Sequence, residues 1–322
     1  MKNLIRYNLI IGLLIFACAF SVRANNYHFI VAADGGGDFK TIQQAINAVP
    51  DFRKNETLIF IKKGTYKEKL VLAASKTNVV FIGEDRESTI ITYDDFASKK
   101  NIFGEEMGTT GSTSFFVFGD GFRAENITFE NSSGPVGQAV AVRIDGDQVV
   151  FVNCTFRGFQ DTLYPHGDKS RQYYKSCRIE GTVDFIFGWS TAVFDRCTIF
   201  CKDHGYITAS STNEGVAHGF VFLDCEITGT APEGSFYLGR PWRPFAKSVF
   251  VRCKLGSMIK PEGWHNWNKA DAEKTAFFAE FKNTGEGANA SQRVAWSHQL
   301  SEDIANQYTP EKILGDWVLK FK

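Results

Sequence analysis

Gln160-Asp161-Thr162-Leu163-Tyr164 and Gly181-Thr182-Val183-Asp184-Phe185-Ile186-Phe187-Gly188 each set an aspartate among apolar or hydrogen-bonding neighbours. Asp161 and Asp184 are 23 residues apart, about one coil of a repeating β structure, so adjacent coils would bring them side by side. Two carboxyls in one cleft do not ionise equally easily, because each negative charge raises the cost of the other. One stays protonated and can donate; the other stays ionised and can attack. Such a pair suits covalent acid/base chemistry at a carbon centre.

Three further residues fit that chemistry. Gln138 and Gln160 also lie about one coil apart, and two side-chain amides beside one oxygen would form an oxyanion hole. The alternative is that both merely bridge loops. Arg240 sits in Leu238-Gly239-Arg240-Pro241-Trp242. Pro241 restricts it to extended backbone, and Gly239 is expected to let the chain turn. A guanidinium so held can clamp a carboxylate with two hydrogen bonds; the plainer reading is a surface salt bridge. Trp242 offers a flat face to a sugar ring. The chain has no G-x-S-x-G, so a nucleophile-elbow serine is unsupported. His166 lies near the first motif and reads as a bystander.

These groups need a scaffold that repeats. An apolar strand, a short polar step, a Cys or Asn and a large apolar residue recur at Phe122–Phe129, Val149–Phe156, Tyr173–Ile179, Val193–Ile199, Val221–Ile227 and Val249–Leu255. The marker residues Asn126, Cys154, Cys177, Cys197, Cys225 and Cys253 are spaced by 28, 23, 20, 28 and 28 residues. A loose β-rich period of this size predicts a solenoid, in which stacked coils build a core that no coil can bury alone. The recurring cysteines read as a buried ladder of inert thiols. The competing reading is at least one disulfide, with Cys201, which falls outside the ladder, as a partner. No cysteine spacing suits zinc.

The ends predict caps. Thr41–Val49 places Ile42, Ala45, Ile46 and Val49 on one helical face, with Pro50 as a stop. Tyr308–Leu314 is expected to be helical, with Pro310 near its start.

Lys2 and Arg6, the apolar run Leu9–Phe20 and Val22-Arg23-Ala24 have the form of an export signal over residues 1–24, leaving one domain at 25–322. Ile15-Phe16-Ala17-Cys18 also resembles a bacterial lipoprotein box, so membrane contact is expected only through lipid on Cys18. Lys plus Arg equal Asp plus Glu at 36 each, and no basic stripe points to nucleic acid. Phenylalanine is unusually frequent at 30 of 322 residues, which favours a β-rich interior.

Together these motifs resemble the pectin methylesterase (pectinesterase) family of carbohydrate esterases. The resemblance runs from Val31-Ala32-Ala33-Asp34-Gly35 and Asp38-Phe39-Lys40-Thr41-Ile42-Gln43 through Gly64-Thr65-Tyr66-Lys67-Glu68 and Asn126-Ile127-Thr128-Phe129-Glu130-Asn131. It continues through the Gln138, Gln160, Asp184 and Arg240 segments to Gly263-Trp264, Trp267 and Asn283-Thr284-Gly285. It implies an all-β, right-handed parallel β-helix with an N-terminal capping helix and a short C-terminal helical cap. It implies Asp184 as nucleophile on the C6 methyl ester of galacturonate and Asp161 as acid and then base. Gln138 and Gln160 become oxyanion donors, and Arg240 orients Asp184 and lowers its pKa. Phe187, Trp242, Val183 and Ser114 become substrate contacts. No metal or organic cofactor is implied; the partner is methyl-esterified homogalacturonan, and a monomer is the default.

The chain departs from common family patterns at Ser112-Thr113-Ser114, at Trp189-Ser190 and in its neutral charge. A calcium-dependent lyase or a backbone hydrolase would share the scaffold but needs other residues. A thioesterase-like outer-membrane relative and a non-catalytic carbohydrate-binding solenoid are the remaining alternatives.

Overall fold

The computed structural model describes residues 27–321. The expected export signal and Cys18 lie outside them. Each complete coil contributes one strand to each of three sheets, of 11, 8 and 7 strands, the 11-stranded sheet being extended by strands at both ends of the stack. One coil runs Val149–Val152, Thr155–Arg157, Leu163–Pro165; the next runs Arg171–Lys175, Arg178–Gly181, Ile186–Gly188. Each strand pairs in parallel with its equivalent one coil on. This is the expected parallel β-helix.

One left-handed residue turns the chain from the 11-stranded to the 8-stranded sheet. Asn126, Asn153, Ser176, Arg196, Asp224 and Arg252 all have φ between 50 and 57°. Asparagine tolerates this region best among non-glycine residues. Asn153 Nδ2 donates to Asn126 Oδ1 at 2.7 Å, so side chains of successive coils brace each other there. Thr128 pairs with Thr155, which aligns Asn126 with Asn153 and not with Cys154. The expected marker at Asn126 was therefore one residue early: the ladder position on that coil is Ile127.

Behind each turn residue the chain points inward. Cys154, Cys177, Cys197, Cys225 and Cys253 stack there, and with Cys201 all six are free and buried. The Cys197 and Cys225 thiols lie 3.3 and 3.2 Å from the carbonyls of Tyr174 and Phe194 on the preceding coil. Burial pushes the Cys201, Cys225 and Cys253 thiols up, so they stay protonated. The inert-ladder reading holds for these residues and the disulfide reading does not.

An aromatic file fills the core. Phe151, Tyr174, Phe194, Phe222 and Phe250 occupy paired positions with near-parallel rings, 5.2, 4.6, 4.6 and 4.2 Å between successive centroids. Offset stacking at such spacing adds to the burial energy of each ring.

The N-terminal helix Ile42–Ala48 is capped by Thr41, whose side chain accepts from Gln44 N, and buries Ile42, Ala45 and Ile46. The C-terminal expectation needs correction. The helix Pro310–Leu314 is present, capped by Thr309, but it does not close the end of the stack. It lies against the outer face of the 11-stranded sheet, where Tyr308, Ile313, Leu314 and Val318 pack with Val150, Tyr173, Val193 and Val221. That sheet is thus apolar on both faces, which is why its strands read as continuous hydrophobic runs. A further short helix, Glu302–Ala305, has no clear signal in the sequence.

Candidate active site

The functional residues gather on the outer face of the seven-stranded sheet, in two rows set by register. Leu163 pairs with Ile186, and Ile186 with Thr208. Asp161, Asp184, Tyr206 and Tyr237 therefore follow one another across four coils, Tyr206 pairing directly with Tyr237. The second row runs Arg143, Tyr164, Phe187, Ala209, with Arg240 next to it.

Asp161 and Asp184 are both left-handed, at φ 63 and 52°. Non-glycine residues in that region cost energy and persist where the surroundings enforce them, often at functional sites. Here Asp161 N donates to Val183 O at 3.1 Å, locking the two loops together. Both carboxyls are buried to within a few per cent, yet both face one cleft of about 780 Å3.

Their partners differ. Arg240 Nε and Nη2 donate to Asp184 Oδ1 and Oδ2 at 2.9 and 2.7 Å. Its guanidinium lies between the rings of Tyr206 and Trp267, 3.8 and 3.7 Å from their centroids. A cation fixed between two aromatic faces and a carboxylate has little freedom left. Gly239 supports this, though not by turning the chain as expected. A Cβ there would lie 2.0 Å from Thr208 Oγ1, so glycine is required for close strand approach. Asp161 makes no hydrogen bond or ion pair through its side chain among the described residues.

Burial raises the pKa of Asp184, and Arg240 pulls it partly back. Arg240 lowers it, as expected, but burial outweighs the guanidinium and the net shift is upward. Burial and then the charge of Asp184 drive Asp161 further up, with only remote help from Arg240. Asp184 is the carboxyl that ionises first, and Asp161 the one that keeps its proton.

The raised pKa of Asp161 has a consequence for stability. The native state binds its proton more tightly than the unfolded chain does. Stability is therefore lost as pH rises from the ordinary carboxylate range through the native value. Asp161→Asn removes the ionisation and is expected to raise Tm at pH ~7, with the gain shrinking by pH ~4. Thermal melts across that range check it; a Tm gain independent of pH would contradict it.

Gln138 and Gln160 form a parallel bridge and line the cleft. Neither side-chain amide has a protein partner among the described residues, so neither bridges a loop. Phe187 stacks on Tyr164 at 4.0 Å, and Trp242 lies 6.0 Å from Phe187 and from Trp189. These four rings form one wall. His166 also lines the cleft, held by Asp145 at 2.6 Å from its Nδ1.

Two expected contacts are elsewhere. Ser114 is 1% exposed, with its backbone N donating to Val140 O and its O accepting from Leu70 N. It is part of the wall; Thr109 and Thr110, on the turn Gly108–Gly111, reach the cleft instead. Val183 faces a neighbouring depression lined by Tyr206, Tyr237 and Lys260. The sequence reading missed Tyr164, Tyr206 and Arg243. Tyr206 and Tyr237 lie within the strands Gly205–Ser210 and Phe236–Gly239, the first paired with the strand that follows Asp184 and the second paired with the first.

A parallel β-helix with paired carboxyls, one clamped by arginine, above an aromatic wall is the architecture of a carbohydrate-active esterase. The family model for pectinesterases matches residues 28–316. The chain is 43% identical over 286 residues to Pectinesterase 31 of Arabidopsis thaliana, covering 86% of this chain and 89% of that protein. It is 42% identical to the probable pectinesterase/pectinesterase inhibitor 64 of the same plant, 87% of this chain aligning with 49% of that longer protein. Among solved structures, the pectin methylesterase from carrot aligns with TM-score 0.84 and 34% identity, over 92% of this chain and 96% of its own. PemA from Erwinia chrysanthemi aligns at 0.80 and 29% identity, over 91% and 98%. The chain belongs to the pectinesterase family.

Proposed function

We propose that the protein hydrolyses the C6 methyl esters of homogalacturonan, giving pectate and methanol. The observation that carries the reading is the asymmetry of the carboxyl pair: Asp184 is clamped by Arg240 while Asp161 is buried and unpartnered beside it. A pectin methylesterase solved in complex with a hexasaccharide shares this fold over 91% of the present chain.

Asp184 attacks the ester carbonyl carbon. The carbonyl oxygen takes up the negative charge between the amides of Gln138 and Gln160. Asp161 gives its proton to the methoxy oxygen as the C–O bond breaks, and methanol departs. The acyl-enzyme is an anhydride between Asp184 and the galacturonyl carbon. Asp161, now ionised, takes a proton from water, and the hydroxide so formed attacks that carbon. Asp184 leaves as carboxylate and Asp161 is reprotonated. Phe187 and Trp242 provide the apolar surface for the ester methyl and the sugar face. Among the described residues, no three His, Cys, Asp or Glu side chains are grouped to hold a metal ion.

The protein acts outside the cytoplasm on this reading, exported by residues 1–24 and lipid-anchored if Cys18 is modified. No helix among the described residues is long and apolar enough to cross a membrane.

The test is methanol release from highly methylated pectin with a chelator present and chain length followed in parallel. The expected result is methanol at a rate unaffected by chelation, with no chain shortening and no unsaturated uronate. Chain scission without methanol would replace the esterase with a lyase or a backbone hydrolase.

A further inference from the structure

We propose that Asn131 is a positioning residue for the oxyanion hole: its buried amide ties down the segment that carries Gln138, and so sets where the Gln138 side chain meets the developing charge. This rests on the ester-hydrolase reading above and on the part Gln138 plays in it.

Gln138 lies on the irregular stretch between the strands Thr128–Asn131 and Val142–Ile144 and is itself exposed. Just upstream, Gly134 and Gly137 are left-handed, at φ 85 and 104°, and stand in open space. Pro135 and Val136 between them are exposed. That side of Gln138 gives it little restraint. The restraint comes from downstream and from the preceding coil. Ala97 N donates to Gln138 O at 2.9 Å. Two residues after Gln138, Val140 is fully buried; its N donates to Ser112 Oγ at 3.1 Å and its O accepts from Ser114 N at 2.9 Å.

Asn131 joins these two anchors. It is 3% exposed, and its Nδ2 lies 2.8 Å from Asp95 O, 3.2 Å from Ser112 O and 3.2 Å from Val140 O. Asp95 stands two residues before Ala97, and Val140 two residues after Gln138. The amide thus closes a ring that runs from Asp95 through Ala97, Gln138 and Val140 back to Asn131. The Asp95 end is fixed in turn, its carboxylate taking Lys69 at 2.6 Å and Lys99 at 2.8 Å. Asn131 does not line the cleft, so it acts through Gln138. A donor held in place before substrate arrives needs no reorganisation during reaction, and a displacement of about 1 Å can cost ~10²-fold.

The experiment is a double-mutant cycle on kcat for methanol release, with Asn131→Ala and Gln138→Ala alone and together. Asn131→Ala should lower kcat about 10- to 100-fold, with KM changed less than about 3-fold. In the Gln138→Ala background the same change should cost less than about 3-fold, because the donor it positions is gone. A full loss in both backgrounds would show a purely structural role and overturn the proposal, as would no loss in either. If Asn131→Ala does not fold, Ser112→Ala runs the same cycle; it keeps Asn131 and removes the hydroxyl that accepts from Val140 N. Its loss should be smaller, about 3- to 10-fold, with the same dependence on Gln138. A second arm needs no substrate. In either variant the Ala97 amide should exchange its hydrogen about 10-fold faster. The Leu163 amide, bonded to Phe185 O on the next coil, should keep its rate. Equal acceleration at both amides, or none at Ala97, would overturn the proposal. A folded wild type that releases no methanol would sink the esterase reading instead, and the exchange arm would still decide whether Asn131 holds Gln138.

Discussion

Asp184→Asn is expected to lower kcat for methanol release by ~10³-fold or more, with the fold intact. The amide matches the carboxylate in shape, and its Oδ1 can still accept from Arg240. It is neutral, however, and lacks the nucleophilic oxygen that forms the anhydride. The oxyanion donors Gln138 and Gln160 and the aromatic wall remain, so residual rate above water is expected. Substrate should still bind, because Phe187, Trp242 and Tyr164 are untouched. A kcat loss with KM changed little distinguishes loss of the nucleophile from collapse of the cleft. A large rise in KM with kcat retained would mean that Asp184 binds and does not react.

Arg240→Gln is expected to be the second most severe change, costing ~10²–10³-fold in kcat/KM at neutral pH. The guanidinium is the group that pulls the pKa of Asp184 back toward its ordinary value against burial. Without it the pKa rises further, so less of Asp184 is ionised at any given pH. The acid limb of the pH–rate profile should move upward, and raising the pH should recover part of the lost rate. Stability responds in the opposite sense to an ordinary paired aspartate: the variant protonates Asp184 instead of leaving a buried charge, so it should melt best at acid pH. Arg240→Lys keeps charge but loses the fork and the fit between Tyr206 and Trp267, and should fall between the two. An activity loss with an unmoved acid limb would show that Arg240 acts only by shape.

The chemistry was more legible in the sequence than the walls around it. Asp161, Asp184, Gln138, Gln160 and Arg240 stand out because their neighbours are repetitive and apolar, and the structure brings all five to one cleft. Register within a coil was harder. A single left-handed residue between sheets resets which side chains point inward, so counting along the chain placed Asn126 one position early. Ser114 and Val183 were also misplaced: each is near the site in sequence, but both lie in the bends before their strands, where Ser114 is buried and Val183 faces the next depression. The C-terminal helix was found but misplaced. Its apolar face could have covered either the end of the stack or a sheet, and only the three-dimensional match to Val150, Tyr173 and Val193 decides. The clamp around Arg240 was least visible, since Tyr206 and Trp267 approach it from coils 34 residues upstream and 27 downstream.

The most direct test of the central claim is one assay run on two folded proteins. Methanol release from highly methylated pectin is followed for the wild type and Asp184→Asn with a chelator present, and circular dichroism confirms both folds. The account predicts steady release by the wild type and near-complete loss in the variant. Equal release by both proteins would contradict the assignment of Asp184, and no release by the folded wild type would contradict the esterase itself.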